Sequence, residues 1–136
     1  MATTLDFTIS VDNTDKILKD LEEACERALE ICGGKAETYA KKNCPVDTGL
    51  LKNSITHAVG GHTTSVQTYK ADRGDKTGSY SGTLGKEGDH TVYIGSNVEY
   101  AEKNELNHKT KSGFLRSAIE NHREEYKNVI QSELKK

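Results

Sequence analysis

Five histidines (His57, His62, His90, His108 and His122), three cysteines (Cys25, Cys32 and Cys44) and the carboxylates of Asp47 and Glu105 are the residues of this chain whose types could do chemistry. Two histidines at helical spacing would hold zinc, a Cys-x-x-Cys pair would bind metal, and two carboxylates facing one bond would act as acid and base. The histidines never fall in the two-histidine helical zinc motif, and no Cys-x-x-Cys is present. Cys25 and Cys32 are seven residues apart, which puts them on one helix face as small core residues. The stretch Gly82-Thr83-Leu84-Gly85-Lys86 lacks both the spacing and the Ser or Thr of a phosphate loop. Asp47 reads as a helix cap and Glu105 as a turn or ion-pair residue, which accounts for both without catalysis. The sequence therefore predicts no catalytic residue, no cofactor and no metal site. The competing enzyme reading is a small hydrolase or nuclease built from Asp47, His57, Glu105 and His108.

The elements that would position these groups follow from periodicity. Leu5, Phe7, Ile9 and Val11 alternate with Asp6, Thr8 and Ser10, which predicts a half-buried strand over Leu5 to Val11. Asp12, Asn13 and Thr14 are cap candidates for a helix whose apolar stripe runs through Ile17, Leu18, Leu21, Ala24, Cys25, Ala28, Leu29 and Cys32. Acidic residues at Asp12, Asp15, Asp20, Glu22, Glu23 and Glu26 suit the positive end of its dipole and a solvated face. Ala36, Tyr39 and Ala40 continue the spacing, so one long helix is predicted across Gly33-Gly34, although each glycine costs about 1 kcal/mol against alanine. The glycine pair fits equally a close approach of another helix or subunit and a local bend.

Pro45, the only proline, ends that helix, and Asp47 or Thr48 is placed to cap a short helix from Gly49 to Ser54. Extended chain follows over Thr56 to Val66, with a further strand within Thr64 to Tyr69. Lys70 to Asp89 holds five glycines among polar residues, with Leu84 its sole aliphatic residue beyond alanine. It is predicted to be a long mobile loop or hairpin that cannot anchor itself in a core. Thr91 to Ile94 resume strand character, and Leu115, Ala118, Ile119, Tyr126, Val129, Ile130 and Leu134 mark a second long helix over Ser112 to Leu134. The predicted fold is a single α+β domain over residues 1–136. Two long helices pack on a small antiparallel sheet, with a short helix after Pro-Val-Asp-Thr-Gly and a Gly-rich loop at about 70–89.

Bulk composition narrows the function class. Hydrophobic residues make up 33% of the 136, with no Trp, two Phe and six Tyr, so the core is modest and some faces are expected to be completed by neighbouring subunits. A formal net charge of −2 argues against a DNA-coating role, and no specific nucleic-acid binding is expected. There is no signal peptide and no long apolar run, which predicts synthesis in a cytosol and no membrane partner.

One ordered set of motifs carries a resemblance. Pro45, Asp47, Thr48, Gly49 and Leu51 match a Pro-x-Asp-Thr-Gly-x-Leu segment that follows a long helix, with Ser54-Ile55 leading into strands. Tyr100-Ala101 and Glu105 match a Tyr-Ala step with a glutamate a few residues on, and Phe114-Leu115-Arg116 with Ala118 match a Phe-Leu-Arg-Pro-Ala helix start. In this order they resemble the tail-component proteins of tailed bacteriophages and prophages, also described as neck, head–tail joining or tail-completion proteins. Asn107 stands where the family usually has glycine, with left-handed backbone angles still accessible, and Ser117 replaces the usual first-turn proline. The resemblance implies a structural virion-assembly protein with no enzymatic activity. It would form a homo-oligomeric ring, often of six subunits, against connector or head-completion and tail-tube or tail-terminator proteins. It would be found in the bacterial host cytoplasm during assembly and then in the neck or tail of the virion. The alternative non-enzymatic reading is a cytosolic dimeric regulator that binds another protein.

Overall fold

The computed structural model describes residues 2–6, 15–64, 66–109 and 111–135. In chain order the elements are β1 (Ala2–Asp6), α1 (Asp15–Asn43), α2 (Leu50–Ser54), β2 (Thr56–Val59), β3 (Thr68–Lys70), β4 (Thr77–Ser79), β5 (Thr91–Gly95), α3 (Ala101–Asn107), α4 (Phe114–Glu120) and α5 (Arg123–Leu134). The fold is α+β, as predicted: a long helix and several short ones pack on two small antiparallel sheets. β5 is the centre of the larger sheet, in the order β1-β5-β2, with Thr56 opposite Gly95 and Val59 opposite Val92. The smaller sheet is the β3–β4 hairpin, with Thr68 opposite Ser79. Of the strand predicted over Leu5 to Val11, Leu5 and Asp6 belong to β1, while residues 7–11 and the cap candidates Asp12, Asn13 and Thr14 lie outside the described residues.

α1 is continuous through Gly33 and Gly34. Its buried stripe is made of small residues, Ala24, Cys25, Ala28, Cys32, Ala36 and Ala40, with Leu29 among them. Cys32, Ala36 and Ala40 share a core with Phe114, Leu115, Ala118, Ile119 and Tyr126, whereas Leu29 meets Val59 and Val92 of the sheet. Gly33 also lies close against the sheet: a Cβ there would lie 2.6 Å from Cδ2 of His57 and 2.8 Å from Cγ2 of Val92. Gly33 thus serves a close approach to the chain's own sheet, whereas a Cβ at Gly34 would meet His57 only at 4.0 Å. Ile17 and Leu18, assigned to the core stripe from their spacing, are instead exposed.

The second long helix is two helices. α4 ends at Glu120 and α5 begins at Arg123, with Asn121 and His122 between them. The bend lets Tyr126 fold back so that its buried hydroxyl donates to the Ala118 carbonyl near the end of α4, while the His122 ring stacks on Tyr39 of α1 with centroids 3.5 Å apart. Phe114, Leu115, Ala118, Ile119 and Tyr126 close one core with Leu51, Ile55, Ile94 and Val98.

The Gly-rich segment is better anchored than its composition predicts. It contributes Lys70 to β3 and all of β4, Ala71 is buried in the main core, and the Tyr80 hydroxyl donates to the Ser54 carbonyl. An alanine and a tyrosine hold the segment, and Leu84 is exposed. The three cysteines are free and buried; burial pushes Cys32 up to about 11 and Cys44 up to about 12, so these thiols stay protonated core filler at neutral pH.

Candidate functional site

The segment from Pro45 to Leu51 forms one wall of a groove of about 620 Å³, completed by Tyr100 and Asn104, by His108 and Lys111 beyond them, and by Lys76 of the hairpin turn. Gly49 shapes it. With φ at 88° it holds a left-handed conformation at the amino end of α2, and a Cβ there would approach Cγ of Asp72 to 2.9 Å. The left-handed step turns the preceding residues away from the helix axis, so Asp47 does not cap α2. Its carboxylate lies 3.5 Å from Nη2 of Arg73, which also donates to the Asp47 carbonyl at 2.5 Å. Thr48 retains a weak capping contact, its Oγ1 accepting the Leu50 N–H at 3.4 Å. The junction is tied to the hairpin as well: Arg73 N–H donates to the Thr48 carbonyl at 3.0 Å, and Asn53 Nδ2 donates to the Lys70 carbonyl and Asp72 Oδ1 at 2.8 and 3.0 Å.

Tyr100 flanks the groove, and Ala101, buried, starts α3. One turn on, Glu105 is buried and does something other than turn or ion-pair duty. Its carboxylate accepts the Leu115 N–H at 2.7 Å and the Arg116 N–H at 3.2 Å, while its carbonyl accepts the Gly113 N–H at 2.7 Å. A carboxylate from one helix thereby satisfies two of the unpaired donors at the start of another. Phe114 and Leu115 are buried beside it and Arg116 points out. The left-handed residue of this turn is Gly113, with φ at 75°, and not Asn107, which ends α3 in helical geometry. Ser117 N–H donates to the Gly113 carbonyl at 2.8 Å, a bond that a proline at this place could not make.

The four groups of the enzyme reading have separate duties. Asp47 and His108 both line the groove, with His108 Nδ1 accepting the Lys111 N–H at 3.0 Å; His57 and Glu105 are buried away from its lining. His57 sits on β2 against α1, its Nε2 2.7 Å from Glu30 Oε1 and its Nδ1 3.0 Å from Glu37 Oε1. Glu30 and Glu37 were not foreseen as partners, although their seven-residue spacing around Gly33-Gly34 puts both on the face where a ring would fit. Among the described residues no group of three or more His, Cys, Asp or Glu could hold a metal ion, and no helix is long and apolar enough to cross a membrane.

This cluster gives a pH dependence whose sign is fixed. Burial acts to lower the His57 pKa, but the hydrogen bonds and charges of Glu37 and Glu30 outweigh it and hold the imidazolium above its ordinary value of 6.5. Burial acts to raise Glu37, and the hydrogen bond from His57 together with Lys41 takes it below its ordinary 4.5. The His57 contribution to stability is complete below 6.5 and is lost as pH rises through its folded value. The Glu37 contribution is complete above 4.5 and is lost as pH falls through its folded value. The melting-temperature advantage of the wild type over His57→Gln should therefore be greatest between pH 4.5 and 6.5 and shrink toward alkaline pH. An advantage that grows from pH 6 to 9 would show that His57 is neutral in the fold.

A family model described as "Bacteriophage HK97-gp10, putative tail-component" matches residues 11–108 of this chain. The chain belongs to that family. Comparison with curated proteins and with solved structures gave no match. The tail-component match takes in α1, the groove-forming junction, both sheets apart from β1, and α3 with Glu105. It ends before Leu115 and Arg116, the residues whose N–H groups Glu105 holds. Membership in this phage tail-component family supports a structural role in the virion.

Proposed function

We propose that this tail component acts at the head–tail junction or tail terminus of its phage, as a ring whose subunits bind connector or head-completion proteins on one side and tail-tube or tail-terminator proteins on the other. The observation that carries this reading is the family match over residues 11–108. The groove built by Pro45 to Leu51 and Tyr100 supports it, because the motif residues there shape a surface and hold elements together rather than converge on a reacting atom. Such a protein works by complementary surfaces and needs no catalytic group. It would assemble in the host cytoplasm and remain in the neck or tail.

Deleting the gene from the phage and supplying it from a plasmid tests the role. The deletion should yield filled heads and separate or aberrant tails by electron microscopy, with the infectious titre restored by the plasmid copy. Infectious particles with normal tails joined to heads in the deletion strain would refute it.

A further inference from the structure

Two surfaces at opposite ends of α1 each expose apolar side chains and carry complementary charge. At the amino end, Ile17 and Leu18 are 43% and 41% exposed and Leu21 is half-buried. At about 100° per residue these three continue the stripe that buries Ala24, Cys25 and Ala28 further along, so among the described residues the core-facing side of the helix runs on beyond the core. Asp20 flanks the stripe on one side and Glu22 on the other, while Lys16 and Lys19 project from the opposite face. At the carboxyl end lies the groove, where Val46 and Tyr100 are 57% and 40% exposed. Lys76 and Lys111 reach it from two different elements, and its one carboxylate, Asp47, is already met by Arg73.

We propose that the exposed start of α1 in one copy docks in the Pro45–Leu51 groove of the next, with Ile17, Leu18 and Leu21 against Val46 and Tyr100, and with Asp20 and Glu22 facing Lys76 and Lys111. This rests on the ring reading above and names its contact. α1 has 29 residues and so spans about 43 Å, which keeps its start out of the groove of the same chain. Two different patches at opposite ends of one rigid helix produce a head-to-tail interface, the kind that closes into rings. A second copy is the occupant because this chain itself carries both halves: an apolar stripe between two acids, and a groove that offers exposed Val46 and Tyr100 beside two lysines. Contact of this mixed kind weakens as salt screens the charged flanks.

The test uses two surface variants, Leu18→Asp and Val46→Asp, each checked for native circular dichroism and melting. In sedimentation velocity at low salt the wild type should self-associate with rising concentration. Each variant alone should associate about a hundredfold more weakly, since an unpaired charge would be buried at the contact. An equimolar mixture should form a 1:1 dimer that neither variant forms alone, because one intact helix start then meets one intact groove. Glu22→Lys should weaken association, and adding Lys111→Glu in the same chain should restore it. A wild type that stays monomeric at every concentration, a variant that associates like the wild type, or a mixture that stays monomeric overturns the pairing. None of these touches the head–tail role, which stands or falls with the deletion strain.

Discussion

Replacing Glu105 with alanine should destabilise the protein by about 3 kcal/mol, because it removes two charge-assisted hydrogen bonds and leaves a buried N–H without a partner. Leu115 is fully buried, so no water replaces the lost acceptor at its N–H. The loss also propagates. α3 and α4 have seven residues each, far too few to persist alone, and the Glu105 carboxylate together with its carbonyl bond to Gly113 joins the end of one to the start of the other. Phe114, Leu115, Ala118 and Ile119 enter the core directly after that join. For a chain of this size the effect corresponds to roughly 10 °C in melting temperature. Glu105→Gln keeps one neutral acceptor and should lose about half as much. Thermal melts of the two variants beside the wild type decide it; an alanine variant that melts with the wild type would mean that the carboxylate bonds contribute nothing.

Glu105 also shows where the sequence stops being legible. Its partners are backbone N–H groups ten and eleven residues on, with a turn between, and backbone donors leave no trace in residue types. The α+β class, the long α1, the strand at Thr91–Gly95 and the short helix after the proline were all legible, since each depends on local periodicity or on a residue that forbids continuation. Of the two cap candidates Thr48 accepts the Leu50 N–H and Asp47 does not, a choice that capping preference leaves open because the left-handed Gly49 sets where each side chain points. The break at Asn121-His122 was illegible for a different reason. Neither residue forbids a helix, and what rewards the bend is distant in sequence: Tyr39 stacked on His122 and, through its hydroxyl, bonded to Glu125. Likewise Tyr80 anchors the Gly-rich segment on a carbonyl of α2, a contact no composition count contains.

The two adjacent glycines of α1 should respond to the same substitution with opposite signs. In a helix interior Gly→Ala ordinarily gains about 1 kcal/mol. Gly34→Ala should show that gain, since the nearest atom to a Cβ there is Cε1 of His57 at 4.0 Å, an ordinary contact. At Gly33 the added methyl would stand 2.6 and 2.9 Å from two ring atoms of His57 and 2.8 Å from Cγ2 of Val92. A flexible neighbour would swing aside, but His57 is held from both ring nitrogens by Glu30 and Glu37, and Val92 lies on the central strand of the sheet. Relief must come from moving β2 and β5 away from α1, an overpacking cost in the upper part of the usual range, about 2–3 kcal/mol, that cancels the propensity gain and exceeds it. Gly33→Ala should therefore lose about 1–2 kcal/mol and differ from its neighbour by about 2–3 kcal/mol in urea unfolding. The loss should also be smaller in a His57→Ala background, where the obstructing ring is gone, and this double-mutant comparison identifies its cause. Equal stabilisation by both substitutions would mean that the helix and sheet stand farther apart than this structure places them.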